Sequence, residues 1–168
     1  MLAALTKFFS KPDPLNILLS IINGTSNLSL RLIDWFVTNY CRTNNIIIIR
    51  SLKNGATEHI NVYNNYRSQL RSFSKHLFDP FRRQDKIAFH AVQTTIGQLN
   101  FFRWAIENEV LEYIQDHYST ILYEMNMMAN KTAVVVAKTT PMRPDASQID
   151  MPEKTPKGGG GRRMISFD

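Results

Sequence analysis

A hairpin signal near residue 50 constrains the fold of this chain more than any other feature of the sequence. Residues 46–49 are four consecutive isoleucines, and a second run with strand character covers residues 59–63. Lys53-Asn54-Gly55 lies between the two runs, and Asn-Gly tolerates the positive φ that a tight turn requires. We therefore predict a two-stranded hairpin at about 46–63. A hairpin this short is marginal alone, so flanking helices must cover one of its faces.

Helical periodicity flanks the predicted hairpin on both sides. Apolar residues recur at helical spacing from Leu28 to Tyr40, with Ser29 as the N-cap, and polar residues 43–45 end the pattern. We expect Trp35 in the core. After the hairpin, a second helix is predicted from about residue 64 to residue 78. It should stop at Asp79-Pro80, because the residue before proline is disfavoured in the α region.

The next segments are less uniform. Apolar residues alternate over 87–91, which would add a third strand to the hairpin, and a helix starting at Arg82 is the alternative. From residue 94 or 95 a helical pattern runs to residue 114, and a second phase covers 121–128. Gly97 and Asn108 interrupt this pattern, so two or three helices are expected to share it.

The two ends of the chain differ from its centre. Residues 1–27 predict an amphipathic arm or short helix that packs on its own domain or on a neighbour. Their apolar runs are far shorter than the roughly 20 residues that span a bilayer, so no transmembrane segment is expected. Residues 133–137 suggest a short strand that adds to a sheet edge or to a neighbouring chain. Beyond Lys138, the Pro, Gly, Ser and Lys content predicts disorder for an isolated chain.

Together these patterns predict an α+β fold. We expect a mostly helical, compact domain over residues 28–130 with one hairpin. An extended N-terminal arm (1–27) and an extended, basic, Pro/Gly-rich C-terminal tail (131–168) would flank it. The 168 residues, 43% of them hydrophobic, are sufficient for one real core.

Charge is distributed unevenly along the chain. The net charge is +6, which favours acidic partners such as nucleic acid, an anionic membrane surface or an acidic protein face. Residues 67–86 hold six basic and two acidic residues, whereas residues 87–130 hold one basic and five acidic residues. The two regions could neutralise each other inside the fold. Alternatively they could form a dipolar surface that assembles head to tail or clamps an acidic ligand.

The basic residues of the second predicted helix are the main candidate site. Arg67, Arg71 and Lys75 are spaced four residues apart, which places them on one helix face. Such a face can neutralise phosphates or dock onto an acidic protein surface, and a solvated face that pairs with residues 107–116 is the alternative. The full candidate set for partner or phosphate binding is Arg67, Arg71, Lys75, Arg82, Arg83, Lys86, Arg162 and Arg163.

Signatures of catalysis are missing from the sequence. No nucleophile elbow, zinc-protease motif or phosphate-binding glycine loop occurs. The four histidines are too far apart for a local zinc motif, and the single cysteine, Cys41, cannot form an internal disulfide. Glu112 and Asp116 share a helix face without an opposing carboxylate pair. We therefore predict no catalytic residue, no metal, no cofactor and no small-molecule substrate.

Three segments carry a family resemblance. They are residues 38–40 (TNY), 78–83 (FDPFRR) and 94–106 (TTIGQLNFFRWAI), joined by a pattern of spaced residues over 61–75. Over about residues 30–130 the chain resembles a family of small proteins of nucleocytoplasmic large DNA viruses. The members of that pattern are Asn61, Val62, Tyr63, Tyr66, Leu70, Ser74 and Lys75.

The resemblance implies a context rather than an activity. It suggests a virion component, located in the virion and, during assembly, in viral factories of the host cytoplasm. The leading hypothesis is a minor capsid or cement protein whose partners are other capsid or virion proteins. Residues 133–138 and the tail near Arg162 and Arg163 would contact them. The alternative is a basic DNA-binding protein of the virion core or of viral transcription.

Overall fold

The computed structural model describes residues 1–52, 54–74, 76–81 and 83–139, with side chains up to residue 131. It shows helices joined by two small antiparallel sheets, as the α+β prediction requires. The helices are α1 (Leu2–Phe9), α2 (Pro12–Ile22), α3 (Leu30–Trp35), a π-helical turn (Phe36–Tyr40), α4 (Cys41–Asn44), α5 (Val62–Phe73), α6 (Ile96–Glu107), α7 (Val110–Asp116) and α8 (Tyr118–Thr139). The strands are β1 (Ile47–Ser51), β2 (Thr57–Asn61), β3 (Ile87–Phe89) and β4 (Val92–Thr94).

The first predicted helix is present as α3, the π-helical turn and α4 in direct succession. The Ser29 side chain accepts a hydrogen bond from the Leu32 backbone N–H, as predicted for its N-cap. Asn45 ends the run in the left-handed region at φ 50°. Trp35 is half-buried and packs against the core from outside, so its prediction as a core residue is wrong. It lies at the edge because Leu32, Ile33 and Phe36 occupy the inward face.

The predicted hairpin is confirmed as β1 and β2. They pair antiparallel from Ile47 opposite Asn61 to Ser51 opposite Thr57. Gly55 adopts φ +81° in the connecting turn, a conformation that favours glycine. Ile48 on β1 faces the core, whereas Ile49 points outward.

Helix α5 is shorter than predicted. Asn61 caps its start by accepting a hydrogen bond from the Asn64 backbone N–H, but the helix ends at Phe73 rather than residue 78. Ser74 has a φ of 62°, which takes the chain out of the helical path. Phe78, four residues further along the chain, is buried in the core.

Residues 87–94 form a sheet of their own. β3 and β4 pair antiparallel, and His90 at the turn has a φ of 49°. The predicted strand is therefore present as β3, but its expected pairing with the first hairpin is wrong, and so is the alternative helix from Arg82. The physical reason lies in Phe89, whose buried ring packs against Phe9 of α1 at 5.9 Å and holds this hairpin against the N-terminal helices.

The long C-terminal helical pattern divides into α6, α7 and α8, in agreement with the prediction of two or three helices. Asn108 and Glu109 separate the first two, and Glu109 has a φ of 57°. The predicted strand at 133–137 is wrong, because these residues continue α8. A helix that is already formed propagates through β-branched residues at low cost, whereas a new strand needs a partner.

The N-terminal residues are helical rather than extended. Leu5, Phe9, Leu18 and Ile21 recur at helical spacing on α1 and α2 and are buried in the same core as the residues of α6. Burial of these four side chains anchors both helices to the rest of the domain. Among the residues that the structure describes, no helix has both the length and the apolar character to cross a membrane.

Candidate interaction surface

Two of the segments that carry the resemblance contact each other. Residues 76–81, here called the FDPF loop, lie against the start of α6. A Cβ atom on Gly97 would come within 2.8 Å of the His76 carbonyl oxygen, so only glycine allows this approach. The Asp79 backbone N–H donates to the Gly97 carbonyl at 3.2 Å. Gly97 is therefore a contact point between loop and helix.

Three polar side chains hold the FDPF loop in place, and we call Thr94, Gln98 and Asn100 the polar clamp. The buried Gln98 side chain donates from its Nε2 atom to the Pro80 carbonyl at 2.7 Å. The Thr94 hydroxyl in turn donates to the Oε1 atom of Gln98 at 2.7 Å. The Asn100 amide donates to the Leu77 carbonyl at 2.8 Å. These bonds satisfy loop carbonyl groups that form no hydrogen bond within a helix or sheet, which explains why two amide side chains are buried on α6.

Phe78 joins the loop to two helices. Its ring centroid lies 5.9 Å from Tyr66 of α5, and 5.5 and 5.7 Å from Phe101 and Trp104 of α6. The Trp104 indole N–H donates to the Asn65 side-chain oxygen of α5 at 2.7 Å. The inner side of α5 is therefore fixed to α6 through both apolar and polar contacts.

Arg83 is held next to the loop by Asp79. The buried Asp79 carboxylate accepts from the Arg83 Nε and Nη2 atoms at 2.9 and 2.8 Å, and from the Phe81 backbone N–H at 3.2 Å. The hydrogen bond and the charge of Asp79 raise the pKa of the Arg83 guanidinium above its ordinary value. The Arg83 side chain is still 68% exposed, so it combines a fixed position with access to solvent.

Arg67 and Arg71 lie exposed on the outer side of α5, and we call this pair the basic face. The Arg67 guanidinium lies 5.9 Å from the centre of the Tyr63 ring. Neither arginine forms an ion pair with any residue in the described part of the chain. Glu107, the first residue of the acidic stretch, instead pairs with Arg103 at 3.0 Å.

The other predicted site residues are less informative. Lys86 is exposed near β3. Lys75, Arg82, Arg162 and Arg163 lie outside the described residues, and so do the side chains of residues 133–138. The structure thus brings Arg83 to the FDPF loop and leaves Arg67 and Arg71 on the neighbouring helix.

A cleft of about 440 Å³ opens between α3, α5 and the FDPF loop. Burial raises the pKa of the Asp34 carboxyl above its ordinary value, and the charges of Arg83 and Asp79 act on it in opposite directions. Burial and the nearby Asp34 raise the pKa of Tyr66 to about 12. The cleft is lined by Asp34, Tyr66, Leu70, His76, Phe78, Asp79, Pro80, Arg83 and Gln84.

Sequence reasoning missed Asp34. The signal was available, because Asp34 is the only Asp or Glu between residues 14 and 57 and lies within a strongly apolar helical pattern. A carboxylate in such a pattern carries a desolvation cost that a purely structural helix avoids.

Comparison with known proteins places this chain in a family. The model of a family of unknown function, DUF7197, matches residues 1–156. The chain belongs to the DUF7197 family. It is also 40% identical over 124 residues to "Uncharacterized protein L507" of Acanthamoeba polyphaga mimivirus, which covers 68% of this chain and 48% of the relative. This DUF7197 chain thus spans about half the length of that relative.

The mimivirus relative agrees with the resemblance to proteins of large DNA viruses. No solved structure matches the chain. Within the described residues of the DUF7197 chain, no group of three or more His, Cys, Asp or Glu side chains could hold a metal ion. Burial raises the pKa of the Cys41 thiol, so this group stays protonated at neutral pH.

Proposed function

We propose that the chain is a non-catalytic virion structural protein, a minor capsid or cement component that bridges neighbouring subunits. The observation that carries this proposal is the basic face. Arg67 and Arg71 are exposed and free of ion pairs in the described part of the molecule. They would dock onto an acidic surface of a neighbouring virion protein.

The way in which α5 is held supports a docking role. Its inner side is fixed to α6 through Phe78 and through the hydrogen bond between Trp104 and Asn65. Residues four apart on a helix lie about 6 Å apart on one face. The two guanidinium groups are therefore presented on a rigid base, which lowers the entropy lost when a partner binds.

The relative from a giant virus supports the viral setting of the proposal. A virion protein would reside in the virion and, during assembly, in the viral factories of the host cytoplasm. Contacts through residues 133–138 and through the tail near Arg162 and Arg163 belong to the same proposal. They would let one molecule reach more than one neighbour.

A second candidate function is binding of nucleic acid in the virion core or in viral transcription. The same two arginines and the net charge of +6 favour it. Salt separates the two candidates. Binding by phosphate contacts weakens steeply as salt is added, whereas a protein interface that buries apolar area resists salt.

The test is the incorporation of variants into virions of the virus that encodes the chain. Quantitative mass spectrometry of purified virions should detect the wild-type protein at a fixed ratio to the major capsid protein. Arg67→Ala combined with Arg71→Ala should lower that ratio several-fold. The matched control is Arg31→Ala combined with Arg42→Ala, which removes two exposed arginines from elsewhere on the surface.

Absence of the wild-type protein from purified virions would overturn the proposal. Equal incorporation of the two double variants would assign the docking surface to another part of the molecule. Recovery of the protein with packaged DNA, released by salt rather than by detergent, would favour the second candidate.

A further inference from the structure

The cleft beside the FDPF loop carries an excess of negative charge. Its lining holds the carboxyl groups of Asp34 and Asp79 against the single guanidinium of Arg83, an excess of one formal negative charge when His76 and Tyr66 are counted as neutral. Both carboxylate oxygens of Asp79 accept hydrogen bonds from Arg83. The Asp34 carboxylate accepts no hydrogen bond from any described residue. The carboxyl group of Asp34 is therefore half-buried and has no direct partner in the described part of the chain.

The size and the walls of the cleft suit a side chain. A volume of about 440 Å³ lies within the range of ligand pockets. Tyr66 and Phe78 form an aromatic wall, and the Tyr66 hydroxyl stays protonated with a pKa of about 12. The polar clamp fixes the opposite wall through the Pro80 carbonyl. Both walls of the cleft are thus held in place by contacts within the domain, so binding requires no movement of the loop.

We propose that this cleft binds the guanidinium group of an arginine side chain from a partner protein, with Asp34 as its counter-ion. A guanidinium pairs with a carboxylate through two parallel hydrogen bonds and is weakly hydrated, which suits a half-buried site better than an ammonium group does. Its plane can also stack on an aromatic ring. A metal ion fits less well, because Asp34, His76 and Asp79 all line the cleft but, like the other described His, Cys, Asp and Glu side chains, form no group of three that could hold a metal ion.

This inference goes beyond the proposed function, because the basic face requires an acidic partner surface whereas the cleft requires a cation. The two sites are adjacent: Tyr66 and Leu70 line the cleft, and Arg67 and Arg71 follow them on α5. A partner that carries an arginine beside an acidic patch would be held in one orientation by both sites.

The test uses the full chain and small arginine compounds. Titration with N-acetyl-arginine amide should shift the backbone amide resonances of Asp34, Tyr66 and Gln84 and saturate in the millimolar range, as expected for one half-buried ion pair. N-acetyl-citrulline amide, which is neutral and of the same shape, should cause no saturable shift. N-acetyl-lysine amide should bind more weakly than the arginine compound.

Variants identify the counter-ion. Asp34→Asn should weaken the binding of N-acetyl-arginine amide about fivefold or more. Asp13→Asn removes an exposed carboxylate outside the cleft and should leave the affinity unchanged.

Two results would overturn the inference. One is an equal response to the arginine and citrulline compounds, and the other is undiminished binding by Asp34→Asn. Neither result depends on incorporation into virions, so failure of this inference and failure of the proposed function can be told apart. A spectrum of Asp34→Asn with native dispersion confirms that any lost binding does not come from unfolding.

Discussion

At the residue scale, Gly97 is the position where one methyl group should have the clearest effect. In Gly97→Ala the new Cβ would lie 2.8 Å from the backbone oxygen of His76, which cannot move without displacing the FDPF loop. We expect the free energy of unfolding to fall by about 1–3 kcal/mol, measured by urea denaturation. Ser72→Ala on the exposed side of α5 is the control. If Gly97→Ala unfolds at the same urea concentration as the wild type, the close approach of His76 to Gly97 does not limit the side chain at this position.

A second residue-scale prediction concerns Asp34 and pH. Its pKa in the folded protein is above the ordinary value of 3.8, so the folded state binds the proton more tightly than the unfolded state. The stabilising contribution of the protonated Asp34 carboxyl is therefore fully present below pH 3.8 and is lost as the pH rises through the folded pKa. We expect Asp34→Asn to be more stable than wild type at pH 7.

The gain in stability of Asp34→Asn should shrink as the pH falls and vanish below about 3.8, the unfolded value. Thermal unfolding from pH 7 to pH 3.5 measures this difference. Asp13→Asn, an exposed control, should follow the wild-type curve. A gain that does not change with pH would show that the desolvation of Asp34 is not its source.

At the element scale, the FDPF loop depends on the polar clamp. Gln98→Leu keeps the approximate size of the side chain but leaves the Pro80 carbonyl and the Thr94 hydroxyl without their bonds. We expect a loss of about 2–4 kcal/mol in the free energy of unfolding. Hydrogen exchange of the Asp79 amide, which donates to Gly97, should accelerate. Gln115→Leu, on the exposed side of α7, should leave this exchange rate at its wild-type value.

Sequence reasoning was most successful where a local signal decides the structure of an element. The Asn-Gly turn and the Ser29 cap fix the first hairpin and the start of one helix within a few residues. It failed where a distant contact decides. The end of α5 at Ser74 and the separate sheet of β3 and β4 follow from packing of Phe78 and Phe89 on other elements, which no local pattern encodes.

The same distinction applies to the candidate site. The spacing of Arg67 and Arg71 placed both on one exposed helix face, which the structure confirms. The sequence pattern predicts Gly97 as a weak point in a helix, whereas in the structure its lack of a side chain allows the contact with His76. The cleft at Asp34 escaped notice because it combines three segments that are far apart in the sequence, and none of them carries a site motif by itself.

At the scale of the whole molecule, the uneven charge along the sequence is only partly balanced inside the fold. The ion pairs among the described residues join Arg50 to Glu58, Arg83 to Asp79 and Arg103 to Glu107. Each joins residues at most eight apart, so none links α5 to the acidic stretch at 107–116. Composition cannot reveal this outcome, because it depends on which helix faces point toward one another.

The number of accessible arginines sets how strongly salt should affect any binding to double-stranded DNA. If the basic face supplied two phosphate contacts, the slope of log affinity against log salt would be about −2, whereas six or more contacts would give about −5 or steeper. Under the virion-protein proposal we expect weak DNA binding with a slope no steeper than about −2. Arg67→Ala combined with Arg71→Ala should abolish it, and Arg31→Ala combined with Arg42→Ala should preserve it. Fluorescence anisotropy with a labelled duplex between 50 and 200 mM salt measures both quantities. A much steeper slope, together with sub-micromolar affinity near physiological salt, would mean that residues beyond Arg67 and Arg71 also bind phosphates. The nucleic-acid function would then explain the basic face better than the capsid function does.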